Sequence, residues 1–162
     1  MESAAQLAGF IAAHGIWCVL DSGPLIPILT FELPNGSRHL NRLHAPELER
    51  GVEVGREWLA QNREGATRAV LVYDGYITLR TGKLDALFLD VRDYGPPTRS
   101  LQMAVPYRPA ANDQPFAVYR PKFLSCDAPN PDYETLGNAF FRGVDSHEKG
   151  AAIWNNHLDQ SL

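Results

Sequence analysis

The stretch that decides the fold runs from Arg68 to Tyr94 and reads RAVLVYDGYITL–RTGK–LDALFLDVRDY. Val70, Val72, Ile77, Leu84, Leu87, Phe88, Leu89 and Val91 make it rich in β-branched, aromatic and aliphatic residues. Such runs are enriched in strands. The four residues Arg80–Lys83 between them contain Gly82 and are too few for a crossover, so the two strands pair as an antiparallel hairpin. If Arg80 faces Lys83, Ile77 faces Ala86 and Gly75 faces Phe88 on one side. Tyr76 then meets Leu87, Asp74 meets Leu89 and Val72 meets Val91 on the other. Both faces are apolar near the middle, whereas a strand with one wet face alternates. Each face therefore needs a cover, from helices of the same chain or from a second copy. A symmetric pairing of copies buries the same patch on each, and a homodimer is expected on this ground. Asp74-Gly75 reads as a bulge in mid-strand.

Outward from the hairpin, Ser100–Tyr107 and Phe116–Arg120 read as two further strands after Gly95-Pro96-Pro97 and the polar loop 108–115. Upstream, Ile28–Leu33 and Ser37–Leu43 flank Pro34-Asn35-Gly36, a tight-turn signal. Glu2–His14 has one apolar face (Leu7, Phe10, Ile11, His14) and reads as a helix capped by Gly15. Ile16–Leu20 reads as a short strand, followed by the turn Asp21-Ser22-Gly23-Pro24. Pro46–Arg63 reads as a second helix closed by Gly65, with Gly51 and Gly55 spaced for close approach to a strand. Asp132–Phe141 fits helix or strand equally. Ser146–Leu158 reads as a closing helix with Ser146 as its N-cap. The expected fold is one α+β domain over residues 1–162. It has an antiparallel meander of about four to seven strands, packed with two or three helices.

The totals limit function. The 162 residues carry a net charge of −4, and 44% are hydrophobic. Twelve Arg stand against three Lys, which fits a GC-rich coding background and a bacterial source. The Arg residues are scattered among acids, so no nucleic-acid partner is expected. No apolar run approaches the ~20 residues of a membrane span. Met1–Ala13 lacks the basic start of a secretory signal. No membrane association and a cytoplasmic location follow as expectations. Cys18 and Cys126 form no close-spaced pair, and reduced thiols are expected.

Motifs that carry chemistry are sparse. His39/His44 and His147/His157 lack zinc-ligand spacing, so neither metal nor cofactor is expected. Ser22 lacks a nucleophile-elbow sequence, and no phosphate-binding glycine loop occurs. The echo Tyr107-Arg108-Pro109 and Tyr119-Arg120-Pro121 places two Tyr-Arg pairs at strand ends. A guanidinium grips carboxylate or phosphate bidentately. Arg108, Arg120, Tyr119 and Asp74 are therefore the candidate ligand-binding residues of an anionic-ligand pocket between sheet and helices. Asp85 beside the turn reads as solvated.

In size, acidity and helix–strand mixture the chain is similar to small bacterial secretion chaperones and toxin-immunity proteins. That likeness covers no motif and transfers no residue. The leading expectation is a non-enzymatic protein-interaction module acting as a homodimer through the meander face or its edge. A small-ligand binder or enzyme is the alternative.

Overall fold

A computed structural model describes residues 1–21 and 23–162; Ser22, and with it part of the expected turn, lies outside the described residues. The run Ile16–Leu20 is not a strand. Helix α1 continues through it and spans Glu2–Leu20, with Gly15 in its interior rather than at its cap. Ala4, Ala5, Leu7, Ala8, Ile11, Ala12, Ala13 and Ile16 are all buried. A helix that is apolar all round is one with protein on every side. Here α1 packs against the sheet on one side and two later helices on the other. By length and composition α1 could cross a membrane, but 61% of its apolar window is buried inside this fold.

The remaining elements are β1 (Ile28–Glu32), β2 (Arg38–Arg42), α2 (Leu48–Gln61), β3 (Arg68–Leu79), β4 (Gly82–Asp93), β5 (Arg99–Arg108), β6 (Ala117–Val118), β7 (Lys122–Cys126), α3 (Tyr133–Ser146) and α4 (Glu148–His157). The sheet order is β2-β1-β3-β4-β5, with β6 and β7 both on the outer edge of β5. Every pairing among these strands is antiparallel, so the fold is α+β. Gly36 takes a φ of +85° in the β1–β2 turn, as the Asn-Gly pair requires. That hairpin joins the sheet at its edge and does not lie over it.

The β3–β4 turn is tighter than the sequence suggested. Leu79 faces Gly82, so Ile77 meets Leu84 and Tyr76 meets Asp85. This is a slip of two residues, which keeps every side chain on its face. No bulge interrupts Asp74-Gly75, because the register runs unbroken from Arg68 to Leu79. Gly75 has a different reason: a Cβ there would lie 3.0 Å from Phe88 Cε2. The irregularity sits instead between Gln102 and Met103, where β7 joins β5. The strand expected over Phe116–Arg120 shrinks to β6.

Both faces of the hairpin are covered within the chain. Val70, Val72, Leu87, Leu89 and Val91 pack under α1. On the opposite face, Leu29, Phe31, Ala69 and Leu71 pack under Leu59, Val52 and Trp58 of α2. The apolar pattern thus no longer requires a second copy. Helix α2 ends at Asn62, in the left-handed region with φ 43°, before Gly65 is reached. Its close approach to the sheet is as the glycine spacing suggested. A Cβ at Gly51 would lie 2.7 Å from the Leu43 carbonyl oxygen, and one at Gly55 2.5 Å from Leu71 Cδ1.

The ambiguous segment after Asp132 is helix. Asp132 Oδ1 accepts from the Thr135 N–H at 3.1 Å and caps α3. Ser146 belongs to α3, and His147 is the N-cap of α4. Helices α1 and α3 meet backbone to backbone at two glycines. A Cβ at Gly9 would overlap the Phe140 carbonyl, and one at Gly143 would overlap the Gln6 carbonyl. Gly137 on the same helix α3 has open space around it.

Alanine at the two α3 positions should therefore have opposite effects. Gly143→Ala forces the helices apart, and overpacking of this kind costs ~1–3 kcal/mol. Gly137→Ala should stabilise by up to about 1 kcal/mol, the helix-propensity difference. Urea denaturation of both variants checks the pair; equal effects would remove the crossing as the explanation.

Candidate functional site

The length mismatch between β1 and β3 creates the main cavity. Strand β1 covers only Arg68–Val72 of the longer β3. Pro27, which has no N–H to offer a ladder, precedes β1 and lies where the chain leaves the sheet edge. The space left holds a cavity of about 910 Å³. Its walls are the end of α1, residues 23–27, the first half of α2, and Tyr73–Tyr76 of β3, with Asp85 and Tyr107 beside them. Val19, Leu20, Leu25, Leu48 and Val52 supply apolar surface. Asp21, Glu49, Glu53, Asp74 and Asp85 contribute carboxylates to the lining, and Arg56 contributes its one guanidinium.

Asp74 is the best-held group in this wall. Tyr107 Oη donates to both its carboxylate oxygens at 2.9 Å. The N–H groups of Leu25 and Gly75 each donate at 3.1 Å. Burial pushes the Asp74 carboxyl above its ordinary range despite those donors. Burial and the adjacent carboxylate push the Tyr107 hydroxyl upward. Tyr107 thus remains the donor and Asp74 the acceptor, and the bond from Leu25 ties segment 23–27 to the sheet.

Asp85 is half-buried and not fully solvated, because Tyr76 and Tyr107 flank it on the neighbouring strands. Tyr76 is 63% exposed, and the Lys83 ammonium stands 4.2 Å above its ring centroid. That ring face therefore already receives a cation. Across the cavity Arg56 donates from Nε to Asp90 Oδ2 at 3.2 Å and from Nη2 to the Tyr73 hydroxyl at 2.9 Å. Gln102 donates to the other Asp90 oxygen at 2.9 Å. These contacts satisfy the buried Asp90 on the α2 face of the sheet.

The four candidate residues do not come together. Asp74 lines the large cavity. Arg108 donates from Nε and Nη2 to the Pro115 carbonyl at 3.1 and 3.0 Å, and from Nη1 to the Tyr119 hydroxyl at 3.3 Å. It closes the loop between β5 and β6. Arg120 donates to Gln160 Oε1 at 3.4 Å and lines a separate cavity of about 300 Å³ with Met103, Phe123, Phe140 and Phe141. Tyr107 and Arg108, adjacent in sequence, point to opposite faces because strand side chains alternate. The expected anionic-ligand pocket is thus not assembled from these residues together, and the large cavity is lined mainly by acids rather than arginines. Among the described residues no three His, Cys, Asp or Glu side chains are placed to hold a metal ion.

A second titratable cluster lies away from the cavity. His147 Nδ1 accepts from the Gly150 N–H at 2.9 Å and caps α4. Neutral His147 therefore carries its proton on Nε2, which stands 3.0 Å from His14 Nδ1. The His14 proton is then on Nε2, buried and without a partner among the described residues. Around the pair lie Trp17, Phe10, Arg42 and Lys149, the last 4.9 Å above the Trp17 ring. Burial lowers both histidines below their ordinary value, and His147 and Arg42 lower His14 further.

Comparison with protein-family models, curated proteins and solved structures gives no match for this chain.

The histidine pair makes stability depend on pH in a definite direction. With both folded values below the ordinary 6.5, the unfolded chain takes up protons first as pH falls. Their contribution is complete above about pH 6.5 and is lost below it. Protonation at either Nδ1 also sets two N–H groups against each other. His147→Asn keeps a capping side chain but cannot titrate. Its loss of Tm between pH 7 and pH 5 should be smaller than that of the parent; parallel curves would exclude the pair as the cause.

Proposed function

We propose that the protein is a non-enzymatic binding module whose large cavity receives a positively charged group carried on apolar surface. The observation that carries this reading is the lining itself: five carboxylates against one guanidinium, on walls of Val, Leu and Pro. Opposite charge is favoured in such a cleft, where low-dielectric walls concentrate the field. Asp85 offers a carboxylate beside the exposed Tyr76 ring, one face of which the Lys83 ammonium covers. Catalysis is less well supported. Asp74 has the raised proton affinity of a general acid, but its oxygens are occupied by four donor contacts from its own chain. It holds the wall in place.

Two probes of equal shape and opposite charge test the reading. The 2-phenylethylammonium ion should bind, by calorimetry or amide shifts, and 3-phenylpropanoate should not. Asp85→Asn should weaken the amine about tenfold, the factor for ~1.4 kcal/mol. Tighter binding of the carboxylate, or an unchanged affinity in the variant, would refute the reading.

A second reading, self-association, draws on a different surface. Tyr133, Phe141 and Leu158 are exposed at α3 and the end of α4. Phe141 and Leu158 border the smaller cavity. Exposed apolar clusters often mark interfaces between chains. Light scattering should give twice 18.0 kDa at micromolar concentration if this surface pairs copies; 18.0 kDa throughout rejects it.

A further inference from the structure

The open edge of β3 says what kind of molecule carries the cation. Beyond Val72, where β1 stops, β3 continues from Tyr73 to Leu79 with a partner on one side only. The phase of its ladder is fixed by the Tyr94 N–H, which donates to the Thr67 carbonyl at 2.9 Å on the β4 side. Antiparallel ladders alternate, so odd-numbered residues of β3 bond β4 and even-numbered residues point the other way. The β1 side agrees. Leu43 N–H donates to the Pro27 carbonyl, so odd residues of β1 bond β2, leaving Ile28, Thr30 and Glu32 to bond Val72, Val70 and Arg68. Asp74, Tyr76 and Thr78 therefore turn their backbone N–H and C=O groups to the open edge. Among the described residues these groups have no backbone partner.

Natural sheets blunt such edges with proline, bulges or charge. Here no proline and no register shift interrupts β3; Asp74 and the neighbouring Asp85 mark the cavity end, and Arg80 and Lys83 mark the hairpin tip. The open edge also forms a wall of the cavity, through Asp74, Gly75 and Tyr76. A row of unpaired backbone groups is a template for one more strand. The carboxylates at its cavity end define which strand fits.

We propose that the occupant is an extended peptide segment of a partner protein, added to the sheet along β3 beyond β1. Its backbone pairs with Tyr76 and Thr78, past the point where Leu25 is tied to Asp74, and one Lys or Arg side chain enters the cavity beside Asp85. This rests on the reading that the cavity takes a cation and adds the strand that delivers it. Two edge residues at alternate positions, with the residues flanking them, span about five residues of peptide. A basic residue belongs at the cavity end, because Arg80 and Lys83 repel one at the tip.

The acetylated, amidated peptide Thr-Val-Lys-Val-Thr, its N-methylated forms and the 2-phenylethylammonium ion separate the possibilities. The peptide should bind and shift the amide signals of Tyr76 and Thr78. N-methylation at alternate residues of one parity should abolish binding, and of the other parity should leave it within about twofold, since only one set of N–H groups faces β3. Thr78→Pro removes an edge N–H where proline is tolerated; with an unchanged circular dichroism spectrum it should weaken the peptide about tenfold and leave the amine unaffected. If the amine binds but both methylated forms bind like the parent peptide, strand addition is overturned and the cation reading stands. If neither amine nor peptide binds, both fall.

Discussion

Helices α1 and α3 touch through glycine, and the rest of the molecule is arranged around that contact. At Gly9 and Gly143 each backbone comes so near the other that a methyl group would occupy the partner's carbonyl. An approach this close leaves no layer of side chains between the helices. It lets α3 and α4 pack tightly against α1 while α1 lies on the sheet. A 19-residue helix with buried alanines on several sides is stable only when both sides are occupied. Gly15 makes the same compromise toward the sheet, where a Cβ would lie 2.8 Å from Leu87 Cδ1. The helix is therefore thin on two sides, and its small residues let it pack closely on both the sheet and α3.

That stacking fixes where α1 ends. Val19, Leu20 and Asp21 arrive beside the β3 edge just beyond the reach of β1. The five-residue β1 cannot cover the twelve-residue β3. The chain between α1 and β1 closes one side of the gap, held there by the Leu25 bond to Asp74. Helix α2 closes another, held at its first turns by the Gly51 and Gly55 contacts. The cavity is thus a consequence of unequal strands meeting two closely packed helices.

Much of this was legible. The central hairpin, its apolar faces, the Asn-Gly turn and the α2 glycines could be read because each depends on residues close in sequence. The two-residue register slip was invisible to patterning, since it preserves both faces. Ile16–Leu20 misled because isoleucine, tryptophan, cysteine and valine suit a strand locally, whereas their helix is imposed by packing against strands and helices far along the chain. The Tyr-Arg echo misled for the reverse reason. A local repeat says nothing of direction, and neighbours in a strand face apart. The Tyr107–Asp74 bond and the His14–His147 contact join residues 33 and 133 positions apart. No short-range signal announces either.

Charge placement gives the cavity its character. Twelve of the fifteen basic residues are arginine, yet the cavity wall takes one of them and commits it to Asp90 and Tyr73. Elsewhere arginines close loops or pair with acids, as Arg108 does at Pro115 and as Arg38 and Arg68 do at Glu32. The guanidinium is well suited to such carbonyl and carboxylate clamps, with donors fixed in a plane. Spending arginine on the scaffold leaves acids in excess where the scaffold opens. Asp74 is satisfied internally, so its charge adds field without competing for a guest. Asp85, one register position away and flanked by two tyrosine rings, is the carboxylate that remains for a ligand. A net charge of −4 over the whole chain is modest; its effect comes from gathering five carboxylates at one opening beside a strand edge that β1 leaves uncovered.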